Sequence, residues 1–130
     1  MCHEVARQPE EFLHLAQFLR SEIDKSEGAR RAIAHACYYA VYHLMAAHFK
    51  INPIIRAGSG HGEIKDLLAG LRFAPTVPPR HVVIGRREYS RLMFLRARAD
   101  YNLGESFTST QANTALRVAE EIFAATPGAT

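Results

Sequence analysis

The sequence predicts an all-α protein, an up-and-down bundle of four main helices plus one short helix. Three observations predict it. Apolar residues recur at helical spacing in four long segments. No stretch alternates as a half-buried strand would, the short run Val82-Val83-Ile84 being the single candidate. The segment RAIAHACYYAVYHLMAAHF, residues 31–49, holds no Asp, Glu, Lys, Arg, Gly or Pro after Arg31. A helix apolar nearly all round is covered on all sides, in a bundle core or in a membrane. This one is short of the about 20 apolar residues that a membrane span needs, and it carries His35, His43 and His48. It therefore reads as the central helix of a bundle, with no membrane association expected.

The first helix begins at Pro9, a residue suited to a first helical turn, followed by Glu10 and Glu11 at the favourable end of the helix dipole. Phe12, Leu15, Ala16, Leu19 and Ile23 form its inner row, and Gly28 ends it or separates it from the next. In the central helix Ile33, Cys37, Val41, Leu44 and Met45 share one face, while Tyr38, Tyr42 and Phe49 cover most of the opposite one. Ala36, Ala40 and Ala47 make a strip where a neighbour can approach closely. Asn52-Pro53 breaks the helix after Lys50, and glycines 58, 60 and 62 mark an exposed loop. A short helix over 63–72 turns Ile64, Leu67, Leu68 and Leu71 inward. Pro75, Pro78 and Pro79 make an irregular connection. A fourth helix covers 86–103, with Gly104 as its C-terminal cap. Thr108 and Gln111 match a capping box, and Ala115, Leu116, Ala119, Ile122 and Phe123 line the inner face of the last helix before Pro127 and Gly128 end it.

With 130 residues, 48% of them hydrophobic, the chain reads as one domain with a core over about 9–125 and a frayed tail at 126–130. No Arg-rich leader or apolar signal segment opens it, so a cytoplasmic protein is expected. Cys2 and Cys37 are too far apart in kind and place to suggest a disulfide. Cys2 beside His3 is a metal-ligand pair without a second pair, and His43 and His48 are badly spaced to share an ion on one helix face. No metal or cofactor is expected. The net charge is +3. Its distribution is more telling: Arg80, Arg86, Arg87, Arg91, Arg96 and Arg98 crowd a region where only Glu88 and Asp100 oppose them. Such a cluster binds phosphate or a partner's carboxylates, or else is an ordinary solvated helix face.

The fourth helix breaks the apolar pattern. Its inner row by spacing is Tyr89, Leu92, Met93, Arg96, Asp100 and Leu103. Arg96 and Asp100 are four apart and can pair along the helix. A partly buried pair needs further hydrogen bonds to offset its desolvation, so stability is a poor reason to place it there. Either it ties the last helix to the bundle, or it marks a polar groove in which Arg96 offers its donors to phosphate or carboxylate and Asp100 orients it.

YYAVYH in the central helix, GHGEIKDLL in the third, and LRARADYNL before a final Ala-rich helix together resemble HEPN domains. The similarity is to the bacterial and archaeal branch with a Tyr-Tyr-Ala core helix and an Arg-x-x-Ala-Asp-Tyr segment, over about residues 30–125. The resemblance implies a helical bundle that forms a symmetric homodimer. It also implies a metal-independent ribonuclease toxin partnered by a nucleotidyltransferase-like antitoxin. The family signature is Arg, four to six residues, then His. From Arg96 those positions hold Tyr101, Asn102 and Leu103, and from Arg98 they hold Leu103, Gly104 and Glu105. The match thus carries over Arg96, Asp100 and Tyr101, but no His. Arg30 to His35 and Arg56 to His61 satisfy the spacing away from the matching helix, as chance alone would produce.

Cleavage of RNA by its own 2′-hydroxyl wants a group titrating near neutrality. Arg96 is a poor proton shuttle, Tyr101 a weak substitute, and His61 either reaches the groove or caps its helix. Tyr38 and Tyr39 read as core and interface aromatics whose hydroxyls need partners, with base stacking as their other role. The expectation is a HEPN-like homodimer of a toxin–antitoxin or related module with weak or no nuclease activity. It would bind RNA, a nucleotide or a nucleotidyltransferase-like partner through Arg96, Asp100, Arg98, Arg91 and Tyr39. The alternatives are an active ribonuclease using Arg96 with Tyr101 or His61, and a helical module that only receives a partner chain.

Overall fold

The structure, a computed structural model, describes residues 3–52 and 60–127, with side chains from residue 9 onward. Cys2, Pro53, Arg56, Gly58 and Gly128, which figure in the reading of the sequence, lie outside the described residues. The fold is all-helical: α1 (His3–Phe18), α2 (Glu27–Phe49), α3 (Gly60–Gly70), α4 (Arg80–Tyr101) and α5 (Ser109–Ala124), with single 3-10 turns at Leu19–Glu22 and Leu71–Phe73. Among the described residues no helix is long and apolar enough to cross a membrane.

The hub is α2, which touches each of the other four helices. Its length follows from its ends. The Ser26 side chain accepts a hydrogen bond from the Ala29 backbone N–H at 3.1 Å and starts the helix. Gly28 therefore lies inside the first turn and separates nothing, contrary to expectation. At the other end Lys50 adopts the left-handed conformation (φ 58°), and the N–H of Ile51 reaches the Ala46 carbonyl at 2.8 Å. That six-to-one bond with a left-handed residue is a Schellman motif. In between, Ile33, Cys37, Tyr38, Val41 and Met45 are completely buried, and Tyr42 nearly so. Burial raises the Cys37 thiol pKa to about 12. Ala36 and Ala40 are buried, whereas Ala47 of the same strip is exposed. A closer approach comes from α4, where a Cβ on Gly85 would sit 3.0 Å from the Met45 sulfur.

Several boundaries differ from those expected. α1 begins six residues before Pro9 and carries it inside, where the ring offers no N–H to the carbonyl four residues back. Its buried row uses Leu13, with Leu15 half exposed. α3 starts at Gly60 and leaves Leu67 exposed. α4 begins directly after Pro79, so Val82-Val83-Ile84 is helical, not a strand; Val82 and Ile84 lie in the core. Proline restricts the residues before it but not those after, so a helix can start at once beyond it. α4 ends at Tyr101 with Asn102 as its cap residue. Gly104 falls in the turn beyond, and Leu103 is 72% exposed instead of facing inward. α5 begins as expected: Thr108 and Gln111 form both bonds of the capping box, and Ala115, Leu116, Ala119, Ile122 and Phe123 are buried.

Candidate functional site

The seam between α2 and α4 carries the polar residues that the apolar pattern could not absorb. Arg96, its side chain 13% exposed, lies with its guanidinium 5.0 Å from the Tyr38 ring centre, 5.7 Å from that of Tyr39 and 5.6 Å from that of Tyr101. Three aromatic faces around one cation favour its charge. Its hydrogen bonding is sparse. Nη1 donates to the Tyr101 hydroxyl at 3.3 Å, the nearest Asp100 oxygen is 3.7 Å away, and the buried Nε has no partner among the described residues. Burial opposes the Arg96 cation, yet the oxygens of Tyr39, Tyr101 and Tyr38 outweigh it and hold its pKa above the ordinary arginine value.

Asp100 does not serve mainly to orient Arg96. Its carboxylate accepts from Nδ1 of His35, at 2.9 Å to one oxygen and 3.1 Å to the other. A proton on Nδ1 leaves Nε2 as the basic nitrogen, and the His35 side chain is 47% exposed. His35 is thus the residue that the reading of the sequence passed over. A signal for it existed, since His35 is the first ionisable side chain of a run that holds no Asp, Glu, Lys or Arg after Arg31.

Below this pair lies a buried chain of hydroxyls. The Tyr38 hydroxyl contacts the Tyr89 hydroxyl at 3.0 Å and Nδ1 of His61 on its other side. Burial raises the Tyr38 pKa to about 12, against the Tyr89 hydrogen bond and Arg96, and also pushes Tyr89 up. The first turn of α3 brings His61 flat over Tyr42, ring centres 4.4 Å apart, and edge-on to Tyr39 at 5.7 Å. Burial, then Arg96, then His43 hold the His61 pKa below the ordinary imidazole value. His43 itself stacks on Phe12, its pKa also lowered by burial.

The structure thus brings together Arg96, Asp100, Tyr101, Tyr39 and His61 among the residues singled out, and adds His35, Tyr38 and Tyr89. It does not bring Arg98 or Arg91 to that place. Arg98 points two positions around the helix to Glu105, at 2.6 Å, and Arg91 pairs with Glu88 at 3.4 Å. Nor is the arginine cluster opposed by Glu88 and Asp100 alone, because Arg87 also reaches Glu121 at 3.2 Å. A shallow polar cleft beside Arg20 and Arg117 lies apart from this site, and Arg20 is already bound to Glu120. Among the described residues no three His, Cys, Asp or Glu side chains gather where a metal ion could be held.

Chemically, the assembly offers an incompletely satisfied cation, a half-buried tyrosine beside it, an exposed tyrosine (Tyr101, 75%) over it, and an imidazole–carboxylate pair at its edge. That is a place for an anion attached to something planar. Comparisons of the chain with protein-family models, with curated proteins and with solved structures give no match.

Proposed function

We propose that this protein binds RNA or a nucleotide at the α2–α4 seam, with a phosphate on Arg96 and a base against Tyr101 and Tyr39. The observation that carries the reading is the Arg96 side chain, largely buried yet with an Nε unpartnered among the described residues and its one carboxylate, Asp100, at 3.7 Å. A buried charge short of hydrogen bonds is costly, and a phosphate supplies the missing acceptors in the geometry a guanidinium prefers. Arg-aromatic surroundings of this kind suit single-stranded nucleic acid, whose phosphate and base can be met together. The resemblance to HEPN domains supports the same reading and extends it. The protein would act as a homodimer in a toxin–antitoxin or related module beside a nucleotidyltransferase-like partner. The test is fluorescence polarisation with labelled RNA and labelled nucleotides. Arg96→Ala should weaken binding at least tenfold, the order expected for loss of a charge-assisted bidentate contact. Equal binding by both proteins overturns the role given to Arg96.

A second reading, a metal-independent ribonuclease, is favoured by one specific observation, the His35–Asp100 pair beside Arg96. His35 Nε2 would take the proton of a 2′-hydroxyl as its oxygen attacks phosphorus and the 5′-oxygen leaves with a proton from solvent water, with Arg96 opposite the developing charge. Cleavage in the presence of a chelator that disappears in both Arg96→Ala and His35→Gln would establish it. Intact RNA at high protein concentration would exclude it and leave binding as the function.

A further inference from the structure

We propose that ligand binding at Arg96 is coupled to uptake of one proton by His61, with Tyr38 and Tyr89 as the positioning residues that allow His61 to hold it. The inference rests on the phosphate-binding reading of Arg96 and adds a second cationic group to the same site.

Geometry sets His61 against the same rings as Arg96, whose charge it feels. Arg96 and His61 flank the same two rings: the guanidinium lies 5.0 and 5.7 Å from the centres of Tyr38 and Tyr39, and the imidazole 5.4 and 5.7 Å from them. Nδ1 of His61 is held inside by the Tyr38 hydroxyl, so Nε2 is the ring atom left for a ligand. The groups facing His61 are Tyr38, Tyr39, Tyr42 and His43 from α2 and Arg96 from α4, with Tyr89 one hydroxyl further in. None of these is a carboxylate, and His43 is the one among them that ionises near neutrality, its own pKa lowered by burial. In the empty site Arg96 and His43 both oppose a charge on His61.

The hydroxyl chain tolerates either state of the ring. With His61 neutral, the Tyr38 hydroxyl donates to Nδ1 and accepts from Tyr89. With His61 charged, Nδ1–H donates to the Tyr38 oxygen, whose own hydrogen turns toward Tyr89. Only hydrogens move, and the Tyr89 hydroxyl gives up Tyr38 as its acceptor. An anion seated on Arg96 offsets the charge that opposed His61, so the occupied site binds a proton more tightly than the empty one. The sign follows: between the empty-site and occupied-site pKa values, binding takes up a proton, and affinity falls as pH rises through that window.

The test is isothermal titration calorimetry of the whole protein with a 5′-hydroxyl uridine hexamer, a probe with no group of its own titrating near neutrality. Titrations run at about pH 6 and about pH 8, on either side of a histidine's usual range, in two buffers of different ionisation enthalpy. Wild type should lose affinity toward about tenfold per pH unit within the window, with heats that depend on the buffer. His61→Gln should bind with a flat profile and buffer-independent heat. His35→Gln should keep the buffer-dependent heat whatever its affinity, because the proton is assigned to His61. Tyr38→Phe, which removes the acceptor for Nδ1–H, should move the profile to lower pH. Arg96-dependent binding with buffer-independent heat overturns the coupling and leaves the phosphate site standing. Proton uptake that vanishes in His35→Gln and persists in His61→Gln also overturns it, and absence of binding by wild type overturns both.

Discussion

Two arginines on the α2–α4 seam, Arg31 and Arg96, are each 13% exposed, and their surroundings are opposite. Arg31 spends every donor group. Its Nη1 donates to the carbonyls of Arg98, Ala99 and Asn102 at 3.0–3.3 Å, its Nη2 to the Glu105 carbonyl, and its Nε and Nη2 to Glu27. Glu27 in turn accepts from the Phe107 backbone N–H at 3.2 Å, and Arg30 donates to the Phe107 carbonyl at 2.6 Å. The carbonyls that Arg31 meets lie at the C-terminal end of α4 and in the turn beyond it, and that of Arg98 also accepts from the Asn102 N–H at 3.2 Å. Among the described residues Arg96 has one bond at 3.3 Å, an ion-pair distance of 3.7 Å and a bare Nε. The lesson is that burial of an arginine does not mark a site; the state of its hydrogen bonds does. Arg31 closes a helix end and a loop, and Arg96 keeps its donors.

The comparison is sharpest in stability. Arg31→Ala removes the donor shared by Glu27 and a set of part-buried carbonyls, and should cost about 2 kcal/mol in urea unfolding. A cost below about 1 kcal/mol would show that water replaces the clamp without loss and would erase the contrast. A smaller effect, read on the acid limb, belongs to Glu27. The Arg31 hydrogen bond, then that of Phe107, holds its pKa below the ordinary 4.5. Its contribution is thus present above that value and lost as pH falls through the lowered one. Wild type minus Glu27→Gln stability should be constant above about pH 5 and shrink below it; a difference unchanged down to low pH would put the clamp elsewhere. The smallest stability effect is expected at the other arginine. Arg96→Met, which keeps contact with the tyrosine rings, should change unfolding free energy by no more than about 1 kcal/mol in either direction. A loss as large as that of Arg31→Ala would make Arg96 a second structural clamp.

Much of this was legible in the residues. The charge-free run ending at Phe49 announced a buried hub, the Thr108/Gln111 pair announced a helix start, and Arg96 and Asp100 broke an apolar row at helical spacing. The structure sets Arg96 of that row against the Tyr38 and Tyr39 rings of α2. The inner rows were less legible at Leu15, Leu67 and Leu103, which are exposed. Helical spacing names a face of a helix, but whether a neighbour covers its whole width depends on crossing angles. The arginine cluster looked nearly unopposed because Glu105 and Glu121 come from beyond α4.

By itself, then, the sequence determined the helices and which residues had no reason to be buried for stability. Periodicity and caps are local, set by neighbours three or four positions away. Only the tertiary structure decided that Asp100 belongs to His35, 65 positions earlier, that His61 joins Tyr38 and Tyr89, and that Arg31 is satisfied where Arg96 is not. Hydrogen bonds are short and directional, so partners distant in sequence are chosen by how the helices cross. That crossing is set by shape and volume at the contact, such as the room left at Gly85 for Met45, which no single helix's pattern contains.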